Sequence, residues 1–517
     1  MNFIARHFAA FAAVSLSFTV GAEVRMPALF SDNMVLQQGT TLPVWGWAKD
    51  GEEISVRLLD QEVTATAAAG KWKVLLAPVP AGGPYEMTIK GENEIFIKNV
   101  LAGENWICGG QSNMAWPVEK ASNAEEAIAG ATFPQVRLFQ VEVTGADTPQ
   151  EDVKATWVAC SPETVAKFSA AGYFFGRDLH QHLNTPVGLI QSCLGGTNAS
   201  SWLPKAVLAA NPEFADIVQD YEKAVANYPE AKAAYDTALA EHKAKLEKAK
   251  TDGVELTPAE RRGPAEPMGP EHVKRPGALY NAMIAPLQPY AVKGAIWYQG
   301  EANAKSVASA LQYKQLFPAV IDSWRKGWGQ DRFPFLFVQL AAYGENPAWP
   351  LLRDAQTATL AMEDTAMAVA IDVGQKDDIH PTDKATVGKR LMEASRSTAY
   401  GESAEAMGPI FLELEKREGL AIVYFLNVSE GLRSSAKPLT GFEIAGEDGK
   451  FVPATAAIAG QTVIVRAEGV ANPVHVRYGW QAFPEPPCTL YNGSGLPAVP
   501  FRTDELPVED PAAAPRN

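Results

Sequence analysis

Two short runs hold the side chains best suited to covalent chemistry. In Cys108-Gly109-Gly110-Gln111-Ser112-Asn113-Met114 a serine follows two glycines that permit a tight turn, directly after the apolar pair Trp106-Ile107. A serine hydroxyl is inert at its free pKa. Presented beside a general base and backbone N–H groups able to hold an oxyanion, it becomes a nucleophile for acyl transfer. A candidate base lies in Lys376-Asp377-Asp378-Ile379-His380-Pro381, a polar turn just beyond the apolar run of residues 367–371. Asp377 stands three before His380, an offset from which a carboxylate can accept from one imidazole nitrogen and leave the other to take the serine proton. Asp378 is the reserve acid. The other six of the seven histidines have no such setting: His7 lies near the N-terminus, His180, His182 and His242 in helical patterns, His272 in a polar segment and His475 in a strand pattern.

Two further glycine turns follow apolar runs. Gln191-Ser192-Cys193-Leu194-Gly195-Gly196-Thr197-Asn198 comes after a run ending at Ile190, and Tyr298-Gln299-Gly300-Glu301-Ala302-Asn303 after Ile296-Trp297. Gly195 or Gly196 can offer a backbone N–H to an oxyanion, together with that of Ser112, and Asn303 can offer a side-chain amide. Gln111, Asn113, Gln299 and Glu301 are the polar side chains expected to contact substrate. Taken singly, each turn could merely close a strand-to-helix connection. Four of them at strand exits meet the rule that ligands of open α/β sheets bind beyond the carboxyl ends of the strands.

The elements that must position these turns fall into three regions. Over residues 23–101 apolar residues alternate, as in Ile54, Val56, Leu58 and in Trp72, Val74, Leu76, the period of half-buried antiparallel strands in a sandwich-type β-domain. Residues 102–404 carry short continuous apolar runs at 187–190, 292–297, 335–340 and 367–371, suited to strands of a parallel sheet buried on both faces. The α/β reading therefore applies to this middle region. Within it, residues 204–275 are rich in Ala, Lys and Glu with apolar residues at helical spacing, and are expected to form a helical insertion that decorates the surface or meets a second copy. Asn211 before Pro212, and Thr257-Pro258-Ala259-Glu260, read as helix starts. Strand alternation returns over 405–517, in 411–414, 422–425 and 463–465.

At 517 residues the chain exceeds what one core organises, and its 47% hydrophobic content is ordinary for a globular protein. A net charge of −15 argues against a nucleic-acid binder or a coat for anionic lipid. Residues 1–22, with Arg6, an apolar stretch over 8–20 and the small pair Gly21-Ala22, have the layout of a signal peptide. Export to a periplasmic or extracellular space is expected, without stable membrane insertion. Cys108, Cys160, Cys193 and Cys488 are few for the length, and Cys108 and Cys193 read as buried free thiols. No Cys/His cluster has zinc spacing, and no metal or cofactor is expected.

Gly-Gln-Ser-Asn-Met at 110–114, Gln-Gly-Glu-Ala-Asn at 299–303 and Asp-Asp-Ile-His-Pro at 377–381, in that order, resemble the sialate O-acetylesterases within the SGNH-type hydrolases. The likeness extends to Leu29-Phe30-Ser31-Asp32-Asn33-Met34-Val35-Leu36-Gln37 and, near the end, to Leu490-Tyr491-Asn492 and Pro500-Phe501-Arg502-Thr503-Asp504. The resemblance implies an SGNH-hydrolase-like, flavodoxin-like sheet flanked by helices, an O-acetylated carbohydrate substrate, most of all an O-acetylated sialic acid, and no cofactor. It implies Ser112 as nucleophile, His380 as base, Asp377 as its orienting acid and Gly196 as the oxyanion glycine. The superfamily's third block is Gly-x-Asn, whereas here Gly300 is followed by Glu301, Ala302 and then Asn303. Acetylxylan esterases resemble this Gln-Gly-Glu version and can use the glutamate as triad acid, which makes Glu301 the alternative partner of His380 and acetylxylan or another polysaccharide the alternative substrate. A non-catalytic carbohydrate-binding protein is a further alternative, given the twelve tryptophans; the intact serine, histidine and acid stand against it. A lipase reading lacks the Gly-x-Ser-x-Gly elbow.

Overall fold

The computed structural model describes residues 23–505 apart from Asp331; the expected leader over 1–22 lies outside the described residues. The change from alternating to continuous burial occurs inside one strand, β1 (Glu94–Gly110), whose first part alternates and whose residues 100–110 are all buried. Its first part pairs antiparallel with Gly82–Lys90, and its second runs parallel to two strands of the middle region. The boundary expected at 101/102 therefore falls within a continuous element, and the N-terminal β-region is joined to the central sheet through a shared strand.

The remaining central strands are β2 (Phe133–Gln140), β3 (Trp157–Cys160), β4 (Val187–Cys193), β5 (Gly294–Tyr298), β6 (Phe335–Val338) and β7 (Thr365–Ala368), in spatial order β7-β6-β5-β1-β4-β2-β3. All pair in parallel except the edge strand β3. The chain lays β4 on one flank of β1 and then crosses to place β5 on the other. The order reverses at β1, which creates the crevice where α/β sheets bind ligands. Every apolar run read as a strand overlaps one of these. β2 escaped that reading because Pro134 and Arg137 interrupt its pattern. Arg137 is nevertheless buried, its guanidinium donating to Pro134 O at 2.8 Å and to Asn33 Oδ1 at 3.0 Å.

The helices that bear on the site are α1 (Ser112–Ala115), α2 (Ala170–Leu183), α3 (Ala215–Ala226), α4 (Tyr228–Asp252), α5 (Val307–Trp328), α6 (Ala348–Ala358) and α7 (Lys384–Tyr400). Successive residues of β1 point to opposite faces. Trp106 and Cys108 join Phe174, Phe175, Val387 and Leu391 of α2 and α7 in one core, while Ile107 joins Phe317, Trp324 and Leu352 of α5 and α6 in the other. The helix ends are chemically marked. Ser169 Oγ accepts from Gly172 N–H and Asp383 Oδ1 from Thr386 N–H, both at 3.0 Å, and α5 and α7 stop at Gly329 and Gly401 in the left-handed region.

In the insertion, α4 buries only Ala249 of its 25 residues and α3 buries none. The two expected helix starts are present in short form. Asn211 caps the turn Pro212–Phe214, and Thr257 with Glu260 forms a reciprocal cap on Pro258–Arg261. The C-terminal region forms two four-stranded antiparallel sheets and a two-stranded one. It is clamped to the central layer by Arg353 of α6, only 1% exposed, which donates to the carbonyls of Leu340, Ala341, Gln481 and Ala482. All four cysteines are free and buried, and burial raises the thiol pKa of each. No helix among the described residues is long and apolar enough to cross a membrane.

Candidate active site

The turns after β1, β4 and β5 meet at the reversal point. Gly110 has φ +132°, and a Cβ there would stand 2.2 Å from Tyr298 O, so only glycine lets β1 pass this close to β5. Gln111 N–H donates to Tyr298 O at 2.9 Å and Leu194 N–H to Gly110 O at 3.1 Å, which binds the three turns into one unit. Ser112 opens α1, half-buried, with Gly195 so close that a Cβ on it would lie 3.3 Å from Ser112 Cβ. The backbone N–H groups of Ser112 and Gly196 donate to no acceptor among the described residues.

His380 Nε2 lies 2.9 Å from Ser112 Oγ. Trp116 stacks on the imidazole at 5.0 Å between ring centroids and 16° between planes, fixing the ring from one face. Burial pushes the His380 pKa below the ordinary imidazole range; Asp378 pulls it up, and Lys384 and Lys120 add to the fall. The neutral imidazole is thus favoured, as a general base requires.

The acid beside His380 is Asp378, which corrects the expectation for Asp377. Asp378 Oδ1 accepts from the His380 backbone N–H at 2.8 Å and lies 3.6 Å from His380 Nδ1. A carboxylate that accepts from the N–H two residues on makes an Asx turn. That turn carries Asp378 to the imidazole side, and Asp377 is left exposed with no hydrogen bond to His380.

Glu301 does not reach His380 either. It is buried, and its Oε1 accepts from Asn113 Nδ2 at 2.5 Å. The same Asn113 nitrogen donates to Ile379 O at 3.0 Å, and Asn113 Oδ1 accepts from Lys384 Nζ at 2.5 Å. One carboxamide therefore joins the residue after the nucleophile, the residue before the histidine, a buried acid and a buried cation. Burial raises the Glu301 pKa and lowers that of Lys384 to about 7, and each is partly offset by the other's charge.

The expected substrate contacts are corrected for the same reason, since Gln111, Asn113, Gln299 and Glu301 are all buried and engaged within the protein. Gln111 Oε1 accepts from Ala302 N–H at 3.2 Å; Gln299 donates to Thr197 O and to Asn303 Oδ1 and accepts from the Tyr313 hydroxyl. Asn303, the expected amide donor to an oxyanion, is 1% exposed. Its Nδ2 donates to Asn198 Oδ1 at 3.0 Å, and its Oδ1 accepts from Ala199 N–H and Gln299. These side chains shape the turns from behind.

Three contributors went unread in the sequence. Asn198 is half-buried with its Oδ1 held by Asn303 and by Ser200 N–H at 3.1 Å, and its side-chain nitrogen has no acceptor among the described residues. Trp116 carries no motif. Lys384 did carry a signal: a lysine at the first position of a helix opposes the helix dipole, so its placement there calls for another partner.

Comparison with known proteins places the chain among carbohydrate esterases. Residues 266–397 match the family described as carbohydrate esterase, sialic acid-specific acetylesterase. The sialate O-acetylesterase of Rattus norvegicus is 31% identical over 93% of this chain and 94% of its own length, and that of Homo sapiens 29% identical over 93% of each. The crystal structure of a carbohydrate acetylesterase from Xanthomonas citri superposes with a TM-score of 0.78 at 36% identity, covering 94% of this chain and all of that one. With its sheet-exit serine and histidine in contact and its relatives matched along nearly their whole length, this chain belongs to the sialate O-acetylesterase family and is a carboxylic ester hydrolase.

Proposed function

We propose that the protein removes acetyl groups from carbohydrate hydroxyls, with O-acetylated sialic acids as the leading substrate class, through an acetyl-enzyme on Ser112. The contact of Ser112 Oγ with His380 Nε2 at 2.9 Å, beside unengaged backbone N–H groups, carries this reading. His380 takes the Ser112 proton as Oγ attacks the acetyl carbonyl. The oxyanion is held by the N–H groups of Ser112 and Gly196, and the sugar oxygen leaves with the proton from the imidazolium. Water, deprotonated by His380, then attacks the acetyl-enzyme, and acetate departs as Ser112 is reprotonated. Asp378 favours the imidazolium formed in each half. The central sheet and its order reversal at β1 fit an SGNH-type hydrolase, and the leader-like residues 1–22 support a site of action outside the cytoplasm.

The Gln299-Gly300-Glu301 turn supports a second reading, in which the acetyl group sits on xylan or another polysaccharide. Ser112→Ala and His380→Ala are each expected to lose hydrolysis of 4-nitrophenyl acetate with an unchanged circular dichroism spectrum. Full activity in Ser112→Ala would remove the basis of the proposal. Ranking kcat/KM on O-acetylated sialosides, acetylxylan and acetylated pectin separates the two substrate readings.

A further inference from the structure

The end of the insertion returns to the site. A Cβ on Gly196 would stand 3.0 Å from Lys274 Nζ, while the neighbouring Gly195 abuts Ser112. A cation and the nucleophile thus flank the same two-residue turn. Lys274 is held in place from its backbone: Ser201 Oγ donates to its carbonyl at 2.7 Å, and its own N–H donates to His272 Nδ1 at 3.2 Å. The next residue, Arg275, is 5% exposed and donates to Asp147 at 2.9 Å.

The ammonium itself has no such partner. Among the described residues it donates to no acceptor and pairs with no carboxylate; the charge that acts on it is that of Lys305, and burial and Lys305 both lower its pKa. Burial disfavours the cationic form of the nearby His272; Glu266 opposes that fall, and Lys274 and Arg275 add to it. A half-buried cation beside a second cation is an unfavourable arrangement for the free protein, and it sits in a chain with a net charge of −15. A ligand's negative charge would relieve it. The two carboxylates near the nucleophile do not serve: Glu301 is buried in contact with Asn113, and Asp378 is on the His380 loop.

We propose that Lys274 is an anion subsite that receives a carboxylate carried by the sugar whose O-acetyl group reaches Ser112. The inference rests on the carbohydrate esterase reading and narrows its substrates to acidic sugars. A sialic acid and a uronic acid both carry the required carboxylate on a ring carbon, apart from the acetylated oxygen. The subsite also gives the insertion a place in recognition, at its final residues.

The test is the ratio of kcat/KM on a carboxylate-bearing acetylated sugar to that on neutral acetylxylan, measured for the full chain. An O-acetylated sialic acid and acetylated polygalacturonate supply the two acidic arms and separate the two sources of carboxylate. The wild-type ratio is expected to exceed one on at least one arm and to fall as salt is raised. Lys274→Met should lower it about tenfold, through KM rather than kcat, as expected for loss of one charge-assisted hydrogen bond; Lys274→Arg should keep most of it. Lys305→Met, at an exposed position, should lower the ratio by a smaller factor. A ratio below one in the wild type overturns the subsite, as does a ratio that Lys274→Met leaves unchanged because all substrates fall together. Hydrolysis of 4-nitrophenyl acetate without hydrolysis of any acetylated sugar would overturn the carbohydrate reading and the subsite with it.

Discussion

On the side that carries Ser112, the polar side chains behind the nucleophile are buried and satisfy one another: Gln111 with Ala302, Gln299 with Asn303 and Tyr313, Glu301 with Asn113. On the side that carries His380, the loop is half-exposed, with Asp377 and Asp378 at the surface. That loop is held chiefly at its ends. Asp372 accepts from Arg390 at 2.6 and 2.7 Å and from the Tyr491 hydroxyl of the C-terminal region at 2.8 Å, and Lys384 ties the far end to Asn113. Ser112 sits on a turn tied to its neighbours by backbone hydrogen bonds and by close approach at Gly110 and Gly195. The base is placed by a loop that other regions brace.

The two carboxylates near the reacting atoms inherit this difference. Charge in a buried network acts through a low dielectric and has few alternatives in solvent, whereas an exposed pair is screened and contributes little. Glu301 touches no reacting atom, yet its network spans both halves of the site. Asp378 faces the imidazole directly, at 3.6 Å and with more than half of its side chain exposed. The buried network should therefore matter more to the reaction than the acid nearest the base.

The sharpest way to break this comparison is Lys384→Met. It leaves the Glu301 charge buried without its cation and Asn113 Oδ1 without a donor, which should cost about 3 kcal/mol of stability in denaturant unfolding. Because Asn113 links the Ser112 turn to Ile379, kcat on 4-nitrophenyl acetate should also fall about a hundredfold, the scale expected when reacting groups shift by about 1 Å. A variant as stable and as active as the wild type would show that the network is idle. Glu301→Gln comes next. It keeps an oxygen for Asn113 Nδ2 and removes only the charge, so about a tenfold loss in kcat with a smaller change in stability is expected.

The legibility of these parts in the sequence follows the same division. Ser112, His380 and the glycine turns could be read because a strand buried on both faces leaves a continuous apolar run, and the turn after it has few uses. Asp377 and Asp378 are adjacent carboxylates, and which one meets the imidazole depends on an Asx turn that spacing does not reveal. Gln111, Gln299 and Asn303 look like exposed turn residues until the three turns are packed together. The continuity across residue 101 was invisible, because a change of burial pattern reads as an edge, and β1 makes that change without interruption.

The smallest effect expected is also the most specific. In the proposed role of base His380 must be neutral, so kcat/KM is expected to rise with pH through its pKa, which burial holds below the ordinary imidazole range. Asp378 stabilises the imidazolium and so raises that pKa. Asp378→Asn removes the stabilisation, and the acid limb of the profile should move to lower pH, since the charged form then becomes harder to populate. The plateau should fall by only about three- to tenfold, because an exposed carboxylate at this distance contributes modestly and Trp116 still holds the ring. Asp377→Asn should move neither the limb nor the plateau. A shift in Asp377→Asn with none in Asp378→Asn would exchange the roles of the two acids. A plateau lost in Asp378→Asn to the same extent as in Lys384→Met would erase the difference between the exposed and the buried side of the site.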